Sequence, residues 1–343
     1  MKNTGTLLFC FLVFVNCIDR IEIELDRDPN IIPVIDGWVT DKEGPHYIKL
    51  RYSKRFSDFF YDPLTNAKIT LTDDLGNKEV FVEFDSGRYA TTPTFKVIEG
   101  RTYRLEVGVG EDKYISSDMS IKKGVPMESF TYRIDSSELL SKNGEIYYTD
   151  GISLTTKLTN PEQTLNYYSY RVQSTYLFEA LLVGDSSEAK WCYVTDDYRK
   201  ISIVKDKTGD YEHPFAFYEF SLDFLHSISF LAKQYSMTRE AYDYWEKVVA
   251  QSKNSGSLFD RPIYTIKGNM SHHSDDKKIM LGLFTLYSES EQRIILHNKF
   301  SSRQDVNLSY CTGEYPPPKC TDCMTIANNG SSEVTNIRPE WWQ

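Results

Sequence analysis

From Ile31 onward the chain alternates apolar and polar positions with a period of two, the signature of strands that bury one face. Ile48, Leu50 and Tyr52 share a face in one run, Ala67, Ile69 and Leu71 in the next, and Tyr103, Leu105, Val107 and Val109 in a third. Turn chemistry separates these runs. Asp73–Asn77 (DDLGN) places a glycine where a hairpin needs positive φ, and Glu99-Gly100 and Gly110-Glu111 mark further reversals. Asp73 and Asp74 suggest calcium only weakly, because no loop of regularly spaced oxygen ligands follows them. Short strands with no helix between them predict an immunoglobulin-like sandwich over 31–121.

Residues 122–126 (KKGVP) read as a linker, and 127–312 as a second β-domain. Its strands are carried by ESFTYRID, by GISLTTKLTNP, where Ile152, Leu154, Thr156 and Leu158 alternate, and by NYYSYRVQSTYLFEA. A less regular stretch runs from Trp191-Cys192 to Glu212-His213-Pro214, and long β-type runs follow. At Thr238 the period changes to that of a helix, predicted over 238–255. Thr238 can accept a first-turn N–H, Glu240 sits at the positive end of the dipole, and Gly256 suits a left-handed cap before the turn at Ser257–Asp260. Ala241, Trp245, Val248, Val249 and Ser252 form one stripe, with Trp245 as its structural anchor. Strands are expected again over 263–269, 279–287 and 293–296, and 313–343 reads as an irregular tail held by disulfides, with Trp341 and Trp342 docking back.

The amino terminus changes the picture. Lys2, then the apolar run Leu7–Val15, then Cys17 read as a signal peptide over 1–16, the run being too short to span a bilayer as a helix. A cysteine directly after such a run resembles the lipobox of bacterial lipoproteins, with Cys17 as the acylated residue and 17–30 as a charged tether. An exported chain favours disulfides, and Cys192, Cys311, Cys320 and Cys323 would make two, in any of three pairings. A zinc site built on Cys320 and Cys323 is the competing reading, and a thioredoxin-like role for that pair lacks a surrounding βαβ pattern. The net charge of −10, without a Lys/Arg-rich run, argues against nucleic acid as a partner.

Catalytic signals are weak. No nucleophile elbow, zinc-protease helix, phosphate loop or dinucleotide fingerprint occurs, so no catalytic residue, metal or cofactor is assigned. His272-His273 with Asp275-Asp276 is the best metal-like group, but it sits in a polar hairpin where turn residues are expected. Cys192 lacks a thiol-protease signature, and Asp196-Asp197 as neighbours say nothing about the separation that glycoside cleavage needs. Abundant Tyr (24) and Phe (19) suit half-buried strands and surfaces that grip a glycan, a peptide or another protein.

Several stretches together resemble one lipoprotein family, domain of unknown function 4249, common in the outer membranes of Bacteroidetes. They are Cys17, residues 31–50, PLTNAKITLTDDLGN, GRY, GRTYRLEV, QYSMTREAYDYWEKV with GSLFD, IKGNM, LGLF, and the C-x8-C-x2-C spacing before a Trp-ending tail. The resemblance implies a cell-envelope lipoprotein, often encoded beside a TonB-dependent transporter, and it carries no established catalytic residue. The expected role is therefore that of a non-enzymatic, lipid-anchored binding accessory of an outer-membrane barrel protein, first of all a TonB-dependent nutrient transporter. Asp19 and Glu22 behind the cysteine favour the cell surface. The alternatives are a subunit of an outer-membrane assembly or export machine and a stand-alone glycan- or peptide-binding protein.

Overall fold

The computed structural model describes residues 32–53, 62–140, 145–159, 165–182, 190–198, 202–206, 210–219, 227–252, 264–297, 311, 315–329 and 332–342. The segment read as a signal peptide, Cys17, the expected tether, Gly256 and the turn expected at Ser257–Asp260 lie outside them. The chain is mostly β. Seven strands come first: β1 (Pro33–Thr40), β2 (Tyr47–Tyr52), β3 (Lys68–Asp73), β4 (Lys78–Asp85), β5 (Arg88–Ala90), β6 (Tyr103–Val109) and β7 (Asp112–Ser116). Then follow β8 (Ser129–Leu140), β9 (Ile146–Thr159), β10 (Asn166–Glu179), β11 (Trp191–Asp197), β12 (Ser202–Asp206), β13 (Asp210–Glu219) and β14 (Ser227–Met237). Helix α1 (Arg239–Ser252) precedes β15 (Lys267–His272), β16 (Ile279–His297) and, in the tail, β17 (Glu333–Thr335).

The expected immunoglobulin-like sandwich is replaced by a sheet that closes on itself. The first seven strands lie in the order β1-β2-β5-β4-β3-β6-β7, and β15 and β16 carry the path from β7 back to β1, giving a nine-stranded, barrel-like sheet. β16 runs parallel to β1, from Val34 opposite Leu281 to Thr40 opposite Tyr287. Residues 31–121 alone would leave β1 and β7 with bare edges, and closure satisfies both with strands from beyond the helix. Ile35, Leu50, Leu71, Leu105 and Phe284 fill the interior. Two glycines permit the closure. Gly282, opposite Ile35, has φ +90°, and a Cβ on it would be driven into the Ile35 carbonyl; a Cβ on Gly268 would meet the Gly282 carbonyl in the same way.

β16 belongs to two sheets. Beyond β1 it pairs with β14, from Ser288 opposite Ser236 to His297 opposite Ser227, and the order continues β14-β10-β11-β17, with β12 also on β10. A three-stranded sheet, β13-β9-β8, packs over this one around Phe130, Leu154, Tyr168, Tyr170, Phe215 and Phe230. The strands expected at 279–287 and 293–296 are thus one. The polar residues between them are spent on cross-links: Ser288 and the Glu289 N–H donate to Asp41, the Ser290 hydroxyl accepts the Met127 N–H, and Gln292 donates to the Met127 carbonyl. The stretch from Trp191 to Pro214, expected to be irregular, supplies three strands. Pro214 is tolerated because β13 is an edge strand and its register shifts there.

Cys192 is bonded to Cys323 and Cys311 to Cys320, so none of these four keeps a thiolate for the zinc reading. The tail is more regular than expected. Two short 3-10 helices, Pro318–Cys320 and Cys323–Asn329, lead to β17, which pairs with β11. Trp342 is buried against Tyr193, with ring centroids 5.0 Å apart.

In the β3–β4 hairpin the Asp73 carboxylate accepts from the Asn77 side chain, from the Leu75 and Asn77 backbone N–H groups and from Arg101. Those bonds occupy the oxygens that a calcium ion would need. Led by the Asn77 amide, they hold the Asp73 carboxyl below its usual range. A carboxyl depressed in the folded state contributes stability above its unfolded pKa, about 3.9, and loses it as the pH falls through the folded value. The wild type should therefore lose more stability between about pH 5 and pH 3 than the Asp73→Asn variant. Urea unfolding at the two pH values measures this, and parallel losses would show that the hairpin carboxylate makes no linked contribution.

Candidate ligand-binding trough

Strand alternation sends Ile35, Gly37 and Val39 of β1 into the closed sheet and leaves Asp36 and Trp38 on its outside. Tyr287 and Glu289 of β16, Lys233 and Tyr235 of β14, and Ser169 and Arg171 of β10 belong to the same outer surface, which β16 makes continuous between the two sheets. Two adjoining hollows of about 830 and 720 Å³ lie on it and share Asp36, Trp38, Tyr47, Lys49, Lys233 and Tyr235. They form one trough.

Aromatic rings make its floor. Trp38 meets Tyr235 edge-on at 6.2 Å, Tyr235 lies 5.5 Å from Tyr287, and the Arg171 guanidinium sits 4.1 Å from the centre of the Trp38 ring. Burial pushes the Tyr235 and Tyr287 phenols up, so both remain protonated hydrogen-bonding groups at neutral pH. Charges are arranged in pairs. Lys233 reaches Glu289 at 3.0 Å and Glu291 at 3.6 Å, and Asp36 stands opposite Lys49 across β1 and β2.

Helix α1 is the wall at one end. The Thr238 hydroxyl accepts the Ala241 N–H at 3.3 Å, as expected of its N-cap. Ala241 and Tyr242 are buried with Tyr167, Met237, Leu283 and Tyr287, and Trp245 is half-buried beside them. The Trp245 N–H donates to the Tyr287 hydroxyl at 3.2 Å, which places this residue in the wall of the trough as well as in the helix stripe. Tyr242 joins the stripe because the floor under α1 is itself aromatic, its ring 4.9 Å from that of Tyr167. On the same β16, further from the helix, Arg293 lies 3.5 Å from the centre of the Trp341 ring and donates to Ser229.

The other candidates from the sequence lie elsewhere and do not converge. His272 Nδ1 accepts the Ser274 and Asp275 N–H groups, its Nε2 lies 3.3 Å from Asp112, and Asp275 caps Lys277, an arrangement that organises a turn. Asp196 accepts from Ser332 and Asp197 from Gln173, consecutive strand residues on opposite faces. No group of three or more metal-ligating side chains occurs among the described residues. Sequence reading missed Trp38, Arg171, Lys233, Tyr235 and Tyr287. The available signal was large aromatic and cationic side chains at outward positions of strands, but their meeting depends on strand order.

The model of one protein family, described as Domain of unknown function (DUF4249), matches residues 18–293. No curated protein matches the chain.

Proposed function

The chain belongs to the DUF4249 family, and from that premise we propose that it is an outer-membrane lipoprotein, anchored through Cys17 and facing the cell surface, that acts by binding. Its partner in this reading is an outer-membrane barrel protein, with a TonB-dependent nutrient transporter first among the candidates. The observation that supports a docking role most directly is on β4. Val80, Val82 and Phe84 occupy its outward positions and are 56%, 65% and 50% exposed. Tyr47 of β2, 52% exposed, extends the stripe with its ring 5.6 Å from that of Phe84, and Arg88 lies over Phe84. A water-facing strand surface is ordinarily polar, and contiguous apolar area with aromatics and arginine is the composition of interaction surfaces. No helix among the described residues is long and apolar enough to cross a membrane.

Gentle detergent extraction of the native envelope, with mass spectrometry of what co-purifies, tests both parts. Cys17→Ser should release the protein from the membrane fraction. Val82→Asp with Phe84→Asp should reduce the co-purifying barrel protein by about tenfold or more, ~1.4 kcal/mol of binding, while melting stays near wild type. Undiminished recovery by the double variant would overturn the β4 surface, and membrane retention of the serine variant would overturn the anchor. The trough favours one alternative, a stand-alone protein for a small ligand, which predicts ligand binding without any co-purifying barrel.

A further inference from the structure

Arg171 stands out among the charged groups of the trough. Its cross-strand neighbour on β14 is Lys233, a like charge that is already committed to Glu289 and Glu291. Among the described residues Arg171 itself makes no ion pair; its contact is the Trp38 ring, 4.1 Å from the guanidinium carbon, and the side chain is exposed to the hollow. Stacking on an indole fixes the plane of a guanidinium and leaves its edge of N–H donors free, the geometry that recognises a planar oxyanion through two parallel hydrogen bonds.

The surroundings select among oxyanions. Asp36 and Asp197 line the hollow with Arg171, and Glu289 and Glu291 line the adjoining one, so a dianion such as a phosphate monoester, or a polyanionic chain, would meet repulsion that a single carboxylate largely escapes. Trp38, Tyr235 and Trp245 line the same hollow, an apolar bed for a side chain adjacent to that carboxylate. Further along, the Asp36–Lys49 and Lys233–Glu289 pairs offer donors and acceptors of both signs. A hollow of about 830 Å³ falls within the range of roughly 300–1,000 Å³ that encloses a small ligand and is far too small for a folded partner.

We propose that the trough is a receptor for the carboxyl-terminal end of a short peptide, with the terminal carboxylate on Arg171 and the last side chain over Trp38 and Tyr235. The inference rests on the binding-accessory reading above and gives it a cargo: short peptides for a transporter to take up. Mixed-sign walls suit a peptide, whose side chains carry both charges, better than an acidic glycan, whose repeated carboxylates need a uniformly basic groove.

Equilibrium dialysis of the purified, folded chain against a random mixture of N-acetylated tripeptides, read by mass spectrometry, tests it. The expected result is enrichment of free-carboxylate peptides ending in apolar residues. The same mixture as carboxyl-terminal amides should be retained at least tenfold less, and Arg171→Gln should remove the difference between the two. Arg171→Lys should restore only part of it, because an ammonium keeps the charge and lacks the planar fork. Unchanged melting of both variants excludes unfolding as the cause. Equal retention of acids and amides, a difference that survives Arg171→Gln, no retention at all, or retention of tri-galacturonate in preference to peptides would each overturn the proposal. Co-purification of a barrel protein is read separately. A chain that keeps its barrel partner but fails these tests loses the cargo alone, whereas one that passes them without a partner loses the accessory role.

Discussion

Gly282→Ala should be among the most damaging single substitutions in the molecule, costing more than about 3 kcal/mol and in practice preventing closure of the first sheet. Two costs combine. At φ +90° any L side chain is strained, by roughly 1–2 kcal/mol, and the added methyl would occupy the position of the Ile35 carbonyl on the strand that β16 must approach. Backbone cannot yield as the far end of a flexible side chain can. Gly76 separates the two terms: it has φ +84° in the β3–β4 turn, with nothing within 4 Å of its would-be Cβ, so Gly76→Ala should cost only the conformational part, about 1 kcal/mol. Urea unfolding of both variants measures the difference. Equal, small losses would mean that β1 and β16 tolerate separation, and the closed sheet would have to be abandoned as the organising feature.

Removing the Cys192–Cys323 disulfide should cost clearly more than removing Cys311–Cys320. On the chain-entropy account the first closes a loop of 131 residues and the second one of 9, corresponding to about 5 and about 3 kcal/mol. The larger link ties β11 to the 3-10 helix that precedes β17, so its loss should also free β17, Trp342 and the Trp341 contact to Arg293 for proteolysis. Paired alanine variants, compared by unfolding midpoint and by the rate of cleavage in the tail, give both readouts. A smaller loss for Cys192–Cys323 would show that the unfolded chain is already restrained between β11 and the tail.

Local signals were legible where a residue's role depends on its near neighbours. Thr238 starts α1, Asp73 organises the turn through Asn77, and the alternation of Ile48 with Leu50 and of Leu105 with Val107 marks core faces correctly. That alternation is the same in a sandwich and in a closed sheet, so it could not show that 33–116 needs 267–287 to be complete. The SESEQ stretch reads as a break by polarity, yet it is strand, because its side chains pair with Asp41, Lys233 and Met127, partners far away in the chain.

What the sequence determined alone was therefore the β character of the chain, the helix after Thr238 and its cap, the number of thiols available for bonding, and the family, since each rests on composition or on spacing within a few residues. The pairing of those thiols, the closure of β1 on β16 and the trough were decided by tertiary structure. Trp38, Arg171, Tyr235 and Tyr287 come from four different strands, and they meet only because β16 is long enough to serve two sheets at once. Backbone pairing between distant segments sets that geometry, and no pattern within any one of those segments records it.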